Sequence, residues 1–347
     1  MMQKRRATIT DVARLAGVSI ATVSRVVNGT APVAPDTVRR VEEAIAQLGY
    51  KPHSAARKLA GRRSGAIGLL LPEVAGDFFF PLVRSIAEAA RANEYDLLIH
   101  VASDPQEESL SAPLGDHNVD GLLVFTGRLH DDEIARLHRL GFPLVLLFRT
   151  PPDALPIPYV MFENQEGARR LVEHLILVHG RRRIAFLRGP EGNEESAWRE
   201  QGYRAALQAH AIPFDPNLVG MGGFHQQMAR DVIHSWLLEG LHFDAVFAGD
   251  DEAAMGAMEA LRRAGKRVPE DVAVVGFDDV SFSRLLNPPL TTVRAPIEAA
   301  ATEAAQMLFA QIAGVHHPTA VTFPTELVIR QSCGCPAHSD QGSEQSP

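Results

Sequence analysis

Between residues 65 and 277, short unbroken apolar runs alternate with longer amphipathic stretches, and that alternation permits few folds. The runs are AIGLLLP (66–72), YDLLIHV (95–101), VDGLLVF (119–125) and FPLVLLF (142–148). RRIAFLR (182–188), a short run near 217–221, FDAVFAG (243–249) and DVAVVGF (271–277) follow. Helical spacing fills the gaps at about 79–93, 131–140, 165–178, 197–210, 225–239 and 252–264. Strands apolar along their whole length are buried on both faces, and intervening helices let such strands run parallel. The cycle runs through twice, which predicts an α/β core of two doubly wound parallel-sheet lobes with a cleft between them. Residues 290–314 add a strand, a proline-marked turn and a long helix, and VTFPTELVIRQS (321–332) is expected to form one final strand.

Residues 8–29, TITDVARLAGVSIATVSRVVNG, follow a different rule. Thr8 is placed to cap a helix with Asp11 in its first turn and Val12, Ala13 and Leu15 on its apolar side. Gly17 supplies the left-handed backbone of a sharp turn. Ser19 caps a second helix, with Val23, Val26 and Val27 facing inward and Ile20, Ala21, Thr22 and Arg25 left outside. This is the pattern of an all-α helix-turn-helix head. The start of its second helix reaches base edges in the major groove, where an arginine can pair bidentately with guanine. A third helix is expected over 35–48, with Val38, Val41, Ile45 and Leu48 inward and Gly49 as its stop. Arg39 and Arg40 fall outside that stripe, at phosphates or simply in water. Residues 50–64, YKPHSAARKLAGRRS, form a basic linker with one short helical segment at 54–60.

Charge separates the same regions. Residues 1–63 hold 12 Lys and Arg against 4 Asp and Glu, and the rest of the 347-residue chain holds 22 against 38. A basic head on an acidic body suits a polyanion-binding module carried by something else. With 46% hydrophobic and 22% charged residues the composition is globular. No apolar run reaches the roughly 18 residues of a membrane span, and the N-terminus lacks a signal-peptide core. A cytoplasmic, nucleoid-associated protein without membrane contact is expected. Cys333 and Cys335 are too few for a disulfide framework. Their CGC motif has no second ligand pair nearby in sequence, so it reads as two reduced thiols in a polar tail. The 14 histidines show no metal-binding spacing. Neither a metal nor a cofactor is expected. Without a P-loop, a GxSxG elbow or a glycine-rich dinucleotide loop, the chain is not expected to be an enzyme.

Ligands of open parallel sheets bind beyond the carboxyl ends of the strands. That rule selects Asp77, Phe78 and Phe79, then Glu195 and Arg199, then Asp250 and Asp251, then Asp278 and Asp279. Aromatic faces with convergent carboxylates and a guanidinium suit a small polyhydroxylated ligand. Each residue also has a structural alternative: Phe79 in the core, Asp251 capping a helix that starts at Glu252, Asp278 closing a turn.

Asp11, Val12, Ala13, Gly17, Val18, Ser19, Thr22, Val23, Ser24, Arg25, Val26 and Asn28 stand in an order and spacing that resembles the DNA-binding headpiece of the LacI/GalR (lac repressor) family of bacterial transcription regulators. The resemblance extends over nearly the whole chain. It implies a periplasmic-binding-protein type I-like core and DNA contacts from Thr8, Ser19, Ile20, Ala21, Thr22, Ser24, Arg25 and Asn28. It also implies a hinge helix, with Ala56, Arg57 and Leu59 at DNA and the leucine wedged into the minor groove. Effector contacts are expected from Phe78, Phe79, Asn193, Glu195, Arg199, Phe224, Asp250 and Asp278. Two departures stand out: Phe148 where many relatives carry Asp, and Glu163 where they often carry Asp.

The expected division is a headpiece (1–50), a hinge (51–64), an effector and dimerisation core (65–335) and a disordered tail (336–347). Within the core, one lobe takes about 65–163 and 294–323, the other about 164–293 and 324–335. The tail lacks leucine heptads, so a homodimer is expected. The implied function is a ligand-responsive repressor of a palindromic operator, with a sugar or related polyol as effector. A nucleoside or nucleobase effector is the alternative, and a solute-binding protein a distant third.

Overall fold

The computed structural model describes residues 7–28, 31–50, 64–101 and 114–336. The expected hinge helix with Ala56, Arg57 and Leu59 lies outside them, as do the side chain of Asn28 and residues 337–347. The chain divides into two compact units, one holding the N-terminal residues and the other nearly everything from Ile67 onward.

The N-terminal unit contains α1 (Ile9–Ala16), α2 (Ile20–Asn28) and α3 (Pro35–Leu48). Thr8 and Asp11 cap α1 reciprocally. The Asp11 N–H donates to Thr8 Oγ1 (3.3 Å), while Asp11 Oδ2 accepts from the Thr8 N–H (2.9 Å) and hydroxyl (2.7 Å). Such a box satisfies amide groups that a helix start otherwise leaves open. Gly17 closes α1 at φ 65°, left-handed backbone that turns the chain into α2. The small core is built from Val12, Val23 and Val41, all fully buried, with Ala13, Ala16, Ala44 and Tyr50.

One expectation fails here. Leu15 is 46% exposed, because the inward face of α1 is Val12, Ala13 and Ala16, and Leu15 lies roughly 110° round from its centre. Tyr50, the last residue of the expected headpiece, has its side chain buried against the same core.

The second unit alternates as expected through β1 (Ala66–Leu71), α4 (Phe79–Ala92), β2 (Asp96–Val101), β3 (Leu122–Phe125), α5 (Asp131–Arg139) and β4 (Leu144–Leu147). Next come β5 (Tyr159–Phe162), α6 (Asn164–His179), β6 (Ile184–Arg188), α7 (Glu194–Ala209), β7 (Val219–Met221) and α8 (Gln226–Leu238). β8 (Ala245–Ala248), α9 (Asp251–Arg263), β9 (Ala273–Val275), β10 (Thr292–Arg294), α10 (Ile297–Ala313), β11 (Ala320–Phe323) and β12 (Glu326–Val328) complete it. Among the described residues, six strands form one sheet in the order β11-β5-β4-β3-β1-β2, and four form another, β7-β6-β8-β9. The registered pairs of both sheets are parallel. β1, β3, β4 and β8 are buried at every position, which is the signature of strands covered on both faces.

Five further expectations need correction. β2 is not a fully buried strand: it lies at the sheet edge, with Leu98, Ile99 and Val101 each 40% exposed. β5 was hidden in the sequence because Pro156 and Pro158 interrupt the apolar run before it. Residues 321–332 form two strands, because Pro324 has no N–H for a ladder. β11 pairs parallel with β5, whereas β12 pairs antiparallel with β10. Helix α7 starts at Glu194, three residues earlier than expected, because the Asn193 side chain accepts the Ser196 N–H and caps it. The CGC motif is no loose tail, since Cys333 is fully buried and Cys335 half-buried.

Candidate functional site

A cleft opens at the carboxyl ends of both sheets' strands. Phe78, Phe79, Asn193, Glu195, Arg199, Phe224, Asp250 and Asp278 all line it. Eight residues spread over 200 positions of sequence are thereby brought to one place, because every βα turn in a parallel sheet delivers its residues to the same edge.

The wall from the six-stranded sheet is centred on phenyl rings, with Glu73, Thr126 and Arg128 beside them. Phe78 meets Phe79, Phe125 and Phe148 edge-on at centroid distances of 5.3, 6.1 and 5.9 Å, and Phe148 stacks on Phe162 at 4.6 Å. Offset and edge-to-face contacts of this kind add about 0.5–1.5 kcal/mol per pair beyond burial. Phe148, the departure noted in the sequence, is fully buried within this cluster. Phe79 plays both parts considered for it, lining the cleft while only 8% exposed.

The opposite wall is organised by Arg199, which is 2% exposed. Its Nε donates to Asn164 Oδ1 (2.8 Å), Nη1 to the Gly249 carbonyl (2.6 Å) and Nη2 to Asp278 Oδ1 (3.1 Å). Glu195 Oε1 lies 3.7 Å from Nη2 and accepts from Asn164 Nδ2. The guanidinium carbon sits 3.8 Å from the Phe277 ring centroid and 5.4 Å from that of Phe224. Phe224 reaches that position only because residue 189 is glycine: a Cβ there would come within 2.3 Å of the ring.

Acid outnumbers base at this wall. Burial pushes the Glu195 carboxyl up to about 7, against the pull of Arg199. Burial, reinforced by Asp278, holds Asp250 well above the ordinary carboxylate range. Asp278 is raised by burial too, with Arg199 opposing. A ligand that offers hydroxyl donors would satisfy these oxygens and favour their ionised form.

Four of the eight non-glycine residues with positive φ among the described residues stand at or beside the cleft. Phe148, Phe224, Asp278 and Asp279 have φ of 59°, 57°, 101° and 57°, in a region that non-glycine residues rarely adopt. Asp278 is held there by its N–H to the Val293 carbonyl (2.7 Å) and by its carbonyl accepting from Ala295 (3.2 Å). Strain maintained by the surrounding structure is a mark of functional sites.

The roles of the paired aspartates differ from the expectation. Asp250, not Asp251, caps α9, accepting the Ala253 N–H at 2.9 Å. Asp251 turns inward to accept from the Val280 N–H and the Ser283 and Thr292 hydroxyls, and so anchors the loop after β9. Sequence reasoning missed Asn164, which orients both Arg199 and Glu195, and Phe277 beneath the guanidinium. A buried Asn opening a helix at a strand's carboxyl end was the available signal for the first; nothing local marked the second.

In the N-terminal unit, Ser19, Ile20, Ala21 and Arg25 are exposed, and Thr22 and Ser24 are partly so. The Ser19 hydroxyl accepts the Thr22 N–H (3.1 Å) and lies 2.9 Å from Thr22 Oγ1. Thr8 is exposed, but its hydroxyl is committed to the α1 cap.

Comparison with known proteins places these features. Residues 8–53 match the family model for bacterial regulatory proteins of the lacI family, and residues 172–333 match that for a periplasmic binding protein-like domain. The transcriptional regulator CelR of Thermobifida fusca is 35% identical over 342 residues, spanning 96% of this chain and 100% of its own. The solved complex of CelR with cellobiose superposes with a TM-score of 0.70 at 33% identity, over 94% of this chain and 100% of that one. The lac repressor dimer bound to operator and an anti-inducer gives a TM-score of 0.75 at 28% identity, over 95% and 99%. The chain therefore belongs to the lacI family of bacterial transcriptional regulators, which are not enzymes.

Proposed function

We propose that this protein is a repressor that binds a palindromic operator as a homodimer in the cytoplasm, its hold on DNA set by a sugar or related polyol in the cleft. The observation that carries the effector class is the division of the cleft into a phenyl wall and an acid-rich wall around one buried arginine. A sugar ring has an apolar C–H face and an equatorial rim of hydroxyls. The rings of Phe78 and Phe79 suit the first, and Glu195, Asp250, Asp278 and Arg199 suit the second. Asn193 spends its carbonyl oxygen on the α7 cap, so its amide NH₂ is the end that can donate to a ligand. The CelR–cellobiose complex supports the same class through a relative.

On the DNA side, Ile20, Ala21, Thr22 and Arg25 read the major groove. Thr8, Ser19, Ser24 and Asn28 flank them, and the segment with Ala56, Arg57 and Leu59 enters the minor groove. Residues 1–50 form the head, 51–64 the hinge and 65–335 the two-lobed core.

A thermal-shift panel of cellobiose, monosaccharides, sugar phosphates, nucleosides and nucleobases tests the effector class. A ligand at 100 times its Kd adds about 2.7 kcal/mol to stability. A saccharide shift that disappears in Arg199→Ala is the expected result. A shift by nucleosides alone would assign the cleft to that class instead.

A further inference from the structure

The C-terminal cysteines make a second constellation, remote from the cleft and independent of the effector reading. His174, His179, Cys333 and Cys335 each present one ligating atom, and all four atoms lie within 4.8 Å of one another. Cys335 Sγ is 3.6 Å from His174 Nε2 and 3.3 Å from His179 Nε2. With Zn–S of about 2.3 Å and Zn–N of about 2.0–2.1 Å, the sulfur-to-nitrogen edge of a tetrahedron is about 3.5 Å. The two observed distances bracket that edge.

Other features are hard to explain by packing alone. The two histidines are five positions apart, so on a regular helix they point roughly 140° apart. At the end of α6 their rings nevertheless meet at a centroid distance of 5.1 Å. Gly334, between the cysteines, has φ 114°, and a Cβ there would press within 3.0 Å of the His179 ring. Glycine is what lets Cys333 and Cys335 turn their sulfurs toward one point beside that imidazole. The Thr291 hydroxyl lies 3.1 Å from Cys333 Sγ, where it can donate to a thiolate, the outer support that metal-bound sulfur typically has.

We propose that His174, His179, Cys333 and Cys335 form a tetrahedral Cys₂His₂ zinc site that pins the C-terminal segment to the end of α6. Two thiolates and two neutral imidazoles are the donor set that selects zinc. Four protein ligands leave no open coordination position, so the site is structural. Binding releases both thiol protons.

The test uses the tag-free full chain. Stoichiometric zinc is expected by elemental analysis, and it falls to background in Cys335→Ser and in His179→Asn, both checked for native circular dichroism. Replacement of zinc by Co²⁺ gives the thiolate charge-transfer band and intense visible bands of a tetrahedral site. Chelation lowers Tm and exposes Cys335 to thiol reagents. Substoichiometric metal after direct zinc addition and desalting would overturn the proposal. So would full zinc content in either folded variant, or a Co²⁺ spectrum without the thiolate band.

Discussion

The head and the cleft both carry polar groups that we propose bind a partner, but they hold them in opposite ways. In the head the described ones are exposed or partly exposed, and Ser19 and Thr8 are satisfied by near neighbours, Thr22 and Asp11. In the cleft Arg199, Glu195 and Asp278 are nearly dry; both carboxylates face Arg199, and Asn164 bonds Arg199 and Glu195. A surface reader can lose a side chain without harm to the fold. A buried cluster cannot, since one missing partner leaves charge unpaired in a low-dielectric site.

Arg199→Ala should therefore give the largest effect. Removing one member of a buried charged group costs about 3–5 kcal/mol, read as a fall in denaturation midpoint together with loss of effector binding. Arg199→Ala that remained as stable as the parent would collapse the contrast.

Ser19→Ala should cost about 1 kcal/mol, the usual worth of an N-cap, visible by thermal unfolding of the head. Arg25→Ala should change stability by no more than about 0.5 kcal/mol, while specific operator binding weakens by about 1–3 kcal/mol, the worth of a bidentate base contact. Gel-shift titration against a selected duplex reads the second number. A strongly destabilised Arg25→Ala would mean that the residue packs rather than reads.

Acid–base behaviour separates the two regions further. Glu195 has its carboxyl raised from 4.5 to about 7 in the folded chain. Between those values the unfolded chain loses the proton while the folded chain keeps it. This group's contribution therefore lowers stability as pH rises through that window, and the loss is complete above about 7. A neutral sugar whose hydroxyls favour the ionised form should bind more tightly as pH rises through neutrality, with proton release. Calorimetry in buffers of different ionisation enthalpy reads that release, which Glu195→Gln should diminish.

How much of this was legible in the sequence follows the same division. The head is local: caps, a glycine turn and 3.6-residue spacing all act within a few positions, so its helices can be read directly. Leu15, at the rim of the apolar face, is the exception. The cleft was readable in outline, because parallel sheets deliver strand ends to one edge. Asn164 and Phe277 were not, since their importance lies in contacts with Arg199 from other elements. Breaks in pattern misled most: Pro156 and Pro158 concealed β5, and Pro324 divided what seemed one strand. The partners of the CGC motif are invisible in sequence, because more than 150 residues separate it from the histidines that face it.

Occupancy of the cleft is proposed to control DNA binding. Its most direct test is the affinity of the full chain for an operator duplex selected from a random pool, measured with and without a saccharide that shifts Tm. A change of about 5–150-fold is expected, the range of a 1–3 kcal/mol coupling, and it is absent in Arg199→Ala. A saccharide that binds the cleft yet leaves operator affinity unchanged would contradict it.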